Sequence, residues 1–145
     1  LSKTASGGEL SRLMLAIKSI EAKNASVPTM VFDEIDTGIS GKIAQVVAEK
    51  IAGIASARQV LCVTHLPQIA AMADYHYLVE KRVKGDRTHT DVKELTQEQR
   101  EAELARMVGG VGGANDSGLT HARSMLKAAA EMKPGLTNGK NTRIV

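Results

Sequence analysis

The sequence predicts an α/β fold in which two short parallel strands are joined by a helical crossover, with an edge hairpin and flanking helices. Two apolar runs rich in strand formers, Thr29-Met30-Val31-Phe32 and Gln59 to Thr64, have the length of buried strands. Between them apolar residues recur at helical spacing, so the order is strand, helix, strand through short loops, a βαβ unit with a right-handed crossover. Two further strand-like runs, Tyr75 to Val83 and Thr88 to Leu95, meet at Lys84-Gly85-Asp86, a hairpin signal.

In chain order, Leu10, Leu13, Met14, Ile17 and Ile20 predict an amphipathic helix to about Lys23, followed by a loop from Asn24 to Pro28. The first strand stops at Asp33-Glu34. After Asp36-Thr37-Gly38, Ser40 can cap a helix whose apolar face is Ile43, Val46, Val47, Ile51 and Ile54. The second strand ends at His65, and Leu66 to Met72 reads as a short helix. Beyond the hairpin, Glu98 to Val108 and Leu119 to Met132 read as helices separated by the glycine run Gly109 to Gly113. Residues 1–133 form one domain; residues 134–145 are polar, lack periodicity and read as a flexible or vector-derived tail.

Composition narrows the function. The 145 residues suffice for one core, and aromatics at 2% make that core aliphatic. So few aromatics argue against a platform for stacking bases. A net charge of +3 permits a nucleic-acid partner without requiring one. No run reaches the roughly 18 apolar residues that span a bilayer, and Leu1 to Ser11 lacks a signal-peptide layout. The single Cys62 lies inside Val60-Leu61-Cys62-Val63 and reads as a small core hydrophobe in a reducing cytoplasm.

Parallel pairing would bring the carboxyl ends of both strands to one sheet edge, where open α/β sheets bind ligands. Asp33, Glu34 and His65 would then converge. Adjacent acids there suit a magnesium nucleotide, one holding the metal while the other orients or deprotonates an attacking water. The plainer reading is a strand ending in solvent. Ser6-Gly7-Gly8-Glu9 likewise has two readings: a capping box, or a helix start whose exposed N–H groups receive a phosphate.

Taken together these segments resemble the C-terminal half of an ABC ATPase. Ser6-Gly7-Gly8-Glu9 matches the core of the ABC signature, and Val31-Phe32-Asp33-Glu34 the end of a Walker B strand with its catalytic glutamate. Asp36-Thr37-Gly38 stands at the D-loop and Thr64-His65 at the switch histidine. Ala5 to Arg12, Phe32 to Gly41 and Thr64 to Gln68 are similar to the versions found in the RecN family, of the SMC-like branch. The resemblance covers residues 1 to about 133 and implies the C-terminal lobe of a P-loop NTPase-like ABC head. It implies ATP and Mg2+ as cofactors, bound between two heads of a homodimer. Ser6, Gly7, Gly8 and Glu9 would face the nucleotide, with Asp36 beside them coupling the two sites. Asp33 would serve the metal, Glu34 the water and His65 the γ-phosphate. It also implies DNA as a partner in the full-length protein, double-strand-break repair as the role, and a cytoplasmic, nucleoid-associated location. Other SMC-like repair ATPases, such as RecF-like or zinc-hook members, and an assembly module with vestigial ATPase residues are the alternatives.

No G-x-x-x-x-G-K-[ST] occurs, so the phosphate-gripping P-loop is expected in a missing N-terminal half, and this chain alone is expected to be inactive. His76, His89 and His121 match no zinc spacing and read as surface or hairpin histidines. Lys81, Arg82, Lys84 and Arg87 read as a solvated hairpin tip, with contact to DNA phosphates as the functional alternative.

Overall fold

The strand–helix–strand order reappears in the computed structural model, which describes residues 13, 16, 17, 27–85, 87–110, 115–133 and 142–144. Of the expected first helix, Leu13, Ala16 and Ile17 are helical and exposed, and its other residues lie outside the described set. The elements are β1 (Thr29–Phe32), α1 (Gly41–Ala55), β2 (Gln59–Cys62), α2 (Pro67–Ala71), β3 (Tyr75–Lys84), β4 (Arg87–Glu94), α3 (Gln97–Gly109), α4 (Asp116–Met132) and β5 (Thr142–Ile144). The strands form one mixed sheet in the order β1-β2-β5-β3-β4.

β1 and β2 are parallel, with Thr29 opposite Gln59 and Phe32 opposite Cys62. Hydrogen bonds from the Gln59 N–H to Pro28 O (3.0 Å) and from the Val63 N–H to Phe32 O (2.9 Å) bracket the pairing. The expectation that both strands are buried on both faces is corrected on one side. Phe32, Val60 and Cys62 are in the core, but Val31 on the opposite face is 68% exposed.

α1 is the crossover helix, and its buried face includes the expected Val47, Ile51 and Ile54 but not the other two. Ala44, Val47, Ala48, Ile51, Ala52, Ile54 and Ala55 point inward, whereas Ile43 and Val46 are exposed. The small alanines give a stripe at three- and four-residue spacing that lets the helix sit close to the sheet, and this outweighs the bulk of Ile43 and Val46. Ser40 occupies the cap position, but its side chain makes no capping bond.

α2 begins with Pro67, whose fixed φ suits a first helical turn. The hairpin pairs β3 with β4 antiparallel from Tyr77–Glu94 to Lys84–Arg87, and Gly85 supplies the positive φ its turn needs. α3 starts with a reciprocal capping box between Thr96 and Gln99. At the start of α4 the Asn115 side chain accepts the Gly118 N–H at 2.8 Å. The two helices pack together and contribute Leu104, Ala105, Ala122 and Ala129 to the core.

Residues 142–144 fall within the stretch read as a tail without structure, yet they form β5. Thr142–Ile144 pair in parallel with β2, and Arg143 and Ile144 with Tyr75 and His76 of β3. Three residues are too few to show periodicity; backbone pairing on both sides decides their conformation.

Candidate functional site

Beyond β1 the chain turns sharply through residues 33–38, held by bonds from the Thr37 N–H to Glu34 O (3.2 Å) and from the Ile39 N–H to Asp36 O (3.3 Å). Ile35 and Ile39 are buried and anchor this turn to the core. The anchoring sorts the three acids: Asp33 and Glu34 are exposed at the sheet edge, and Asp36 faces inward. Glu34 adopts φ 55, the only positive φ at a non-glycine residue among the described ones. For an L-residue this region costs about 1–2 kcal/mol, and such strain gathers at functional sites.

Asp36 is 2% exposed, and its Oδ2 accepts two hydrogen bonds from the residues after β2, with the His65 ring close by. The Thr64 hydroxyl donates at 2.5 Å, the His65 backbone N–H at 2.9 Å, and His65 Nδ1 lies at 3.0 Å. The Thr64 oxygen in turn accepts the Leu66 N–H at 3.0 Å. One buried carboxylate thus ties the turn after β1 to the loop after β2, and its donors offset the desolvation of the charge. The His65 side chain remains 72% exposed beyond that anchor.

Cys62 ends β2 just below this brace. Burial first, then the Asp36 and Asp33 charges, push its thiol up to about 12. It stays protonated and inert, as expected of a core hydrophobe.

The expected site residues divide into three groups. Asp33, Glu34 and His65 lie at the same carboxyl edge, reached from β1 and β2. Ser6, Gly7, Gly8 and Glu9 lie outside the described residues. Asp36, expected among the nucleotide-binding residues as the one coupling the two sites, is buried and bonded to Thr64 and His65. Thr64, named in the sequence only as the residue before His65, is a contributor whose role was not legible there, because its partner is 28 residues away. Among the described residues no three His, Cys, Asp or Glu side chains form a metal cluster. The donor set fits Mg2+, which takes one or two carboxylates together with substrate phosphates and water.

Elsewhere, His76 lies on the hairpin strand β3 but is buried at 4% exposure, so the surface alternative is corrected for it, whereas His89 and His121 are exposed. On the hairpin, Arg82 pairs with Glu80 (2.8 Å) and Asp91 (3.4 Å), which interrupts the basic run. Among the described residues no helix is long and apolar enough to cross a membrane.

No family model matches the chain. Curated relatives do, and they carry the name DNA repair protein RecN. The one from Bacillus subtilis is 52% identical over 133 residues, which is 92% of this chain and 23% of the relative. The Halalkalibacterium halodurans protein is 47% identical over 135 residues, 92% of this chain and 23% of its own. That of Deinococcus radiodurans is 50% identical over 126 residues, 87% of this chain and 22% of its own. The chain therefore spans less than a quarter of the length of the relatives it matches.

Proposed function

The chain belongs, as a segment, to the RecN family, and from that premise we propose that it is the C-terminal lobe of an ABC-type ATPase head acting in DNA repair. The observation that carries this reading is the placement of Asp33, Glu34 and His65 at one sheet edge, just beyond the paired ends of β1 and β2. Chemistry on a phosphoryl group needs little else from this half: positioning, charge neutralisation and a base for water.

Asp33 would hold Mg2+, which when bound neutralises phosphate charge. Glu34 orients the attacking water and accepts its proton, and the exposed carboxylate at φ 55 is held away from the core for that task. His65 reaches the γ-phosphate from the neighbouring strand end. Ser6, Gly7, Gly8 and Glu9 of one head face the P-loop of the other, so ATP holds two heads together and hydrolysis releases them. The P-loop itself comes from the N-terminal half of the full-length protein, and the cycle serves DNA held by the full-length protein.

ATP turnover of this chain mixed with the N-terminal half of the full-length protein tests the reading. Turnover should need both halves and fall about 100-fold or more in Glu34→Gln. A well-folded, nucleotide-binding complex that does not hydrolyse ATP would instead support an assembly module. Robust hydrolysis by this chain alone would contradict the two-half arrangement.

A further inference from the structure

We propose that Thr64 is a positioning residue whose hydroxyl locks the turn carrying Glu34 to the loop carrying His65, so that both reach the nucleotide as one unit. The inference deepens the ATPase reading and rests on it for the identity of the ligand, but the link between the two loops stands on hydrogen bonds alone. A threonine hydroxyl has one proton to donate and lone pairs with which to accept. Thr64 uses both. It donates to Asp36 Oδ2 at 2.5 Å and accepts the Leu66 N–H at 3.0 Å. Asp36 is buried in the turn after β1, and Leu66 is the cap residue of α2. One side chain thus joins the acidic turn to the start of the helix that follows His65.

The bond matters because of where it lies. β1 and β2 pair as far as Phe32 and Cys62, and the Val63 N–H on Phe32 O, at 2.9 Å, is the last backbone bond between the two chains there. Beyond it the chains part, and Glu34 and His65 lie on separate loops. Asp36 carries the pairing onward: its Oδ2 takes the His65 N–H at 2.9 Å and the Thr64 hydroxyl at 2.5 Å. The first donor is backbone, common to every residue but proline. The second exists only where position 64 holds a hydroxyl, so the side chain sets how firmly the loops are joined. Misplacing a reacting group by about 1 Å can cost on the order of 100-fold in rate, and here two groups on two loops must be placed together.

The test compares Thr64→Val, which keeps the shape and loses both bonds, with Thr64→Ser, which keeps both. In the full-length protein Thr64→Val should lower kcat for ATP about 10-fold or more while KM moves less than about threefold, and Thr64→Ser should restore the rate. Amide exchange of this chain without nucleotide reads the link directly. Thr64→Val should quicken exchange at Leu66 and also at Thr37 and Ile39, whose own acceptors are the Glu34 and Asp36 carbonyls. Thr64→Ser should leave all three protected. Quickening confined to Leu66 overturns the proposal, as does an unchanged kcat in Thr64→Val or a Thr64→Ser as slow as Thr64→Val. In the wild type the amides of Thr37, Ile39, His65 and Leu66 should open together, and a turn that opens independently of the loop overturns the proposal even if Thr64→Val fails to fold. A full-length protein without ATP turnover would sink the ATPase reading, while exchange at Thr37 and Ile39 would still decide this one.

Discussion

Glu34 sits where a side chain is needed and the backbone would favour glycine, because φ 55 brings its Cβ close to its own carbonyl. Glu34→Gly should therefore raise stability by about 0.5–1 kcal/mol, after allowing for the greater freedom of glycine in the unfolded chain. Glu34→Gln should leave stability nearly unchanged, since it keeps the Cβ. Urea unfolding of the two variants checks this, and a less stable Glu34→Gly would mean the turn is unstrained. At this scale Asp33, Glu34 and His65 were legible because acids and a histidine closing two apolar strands need only parallel pairing to meet. The inward turn of Asp36 was not legible. It follows from the burial of Ile35 and Ile39 on either side, which no local pattern announces.

Among the elements, β5 carries the most weight for its size. It lies between β2 and β3, and among the described residues no other pairing joins the β1–β2 pair to the hairpin strands. Proline at position 143 removes a backbone donor in the middle of a sheet, so Arg143→Pro should cost about 1–3 kcal/mol for the partner carbonyl left unpaired. Amide exchange should quicken at Val60 to Cys62 and at Tyr75 and His76 together. Unchanged protection at both would show that the two parts of the sheet hold without β5. The longer elements were legible: α3, α4 and the hairpin follow their periodicity and turn signals to within a few residues. The inward face of α1 was read correctly at Val47, Ile51 and Ile54 but not at Ile43 and Val46, because bulk was weighed above alanine spacing, whereas close helix–sheet contact rewards small side chains.

For the whole molecule, the response to acid should run through His76. Burial first, then the nearby Arg100 charge, lower it from 6.5 to about 4, while Glu103 opposes them weakly. The native state thus refuses a proton that the unfolded chain accepts, so stability is full above the unfolded value and is lost as pH falls from 6.5 towards 4. Between pH 7 and pH 5 the loss should be about 2 kcal/mol, seen as a lower urea midpoint. His76→Leu should flatten that dependence even where it changes the stability at pH 7. If the variant keeps the full drop, other groups cause it.

The order of elements from β1 to α4, the aliphatic core, the parallel pair and the three edge residues could all be read from the chain, because each depends on spacing or composition over a few neighbouring residues. Only the tertiary structure decided that Asp36 turns inward to grip Thr64 and His65, that His76 is buried, and that residues 142–144 complete the sheet. Each of those depends on groups far apart in the chain, 28 residues in the case of Asp36 and Thr64, whose meeting is set by how the layers pack.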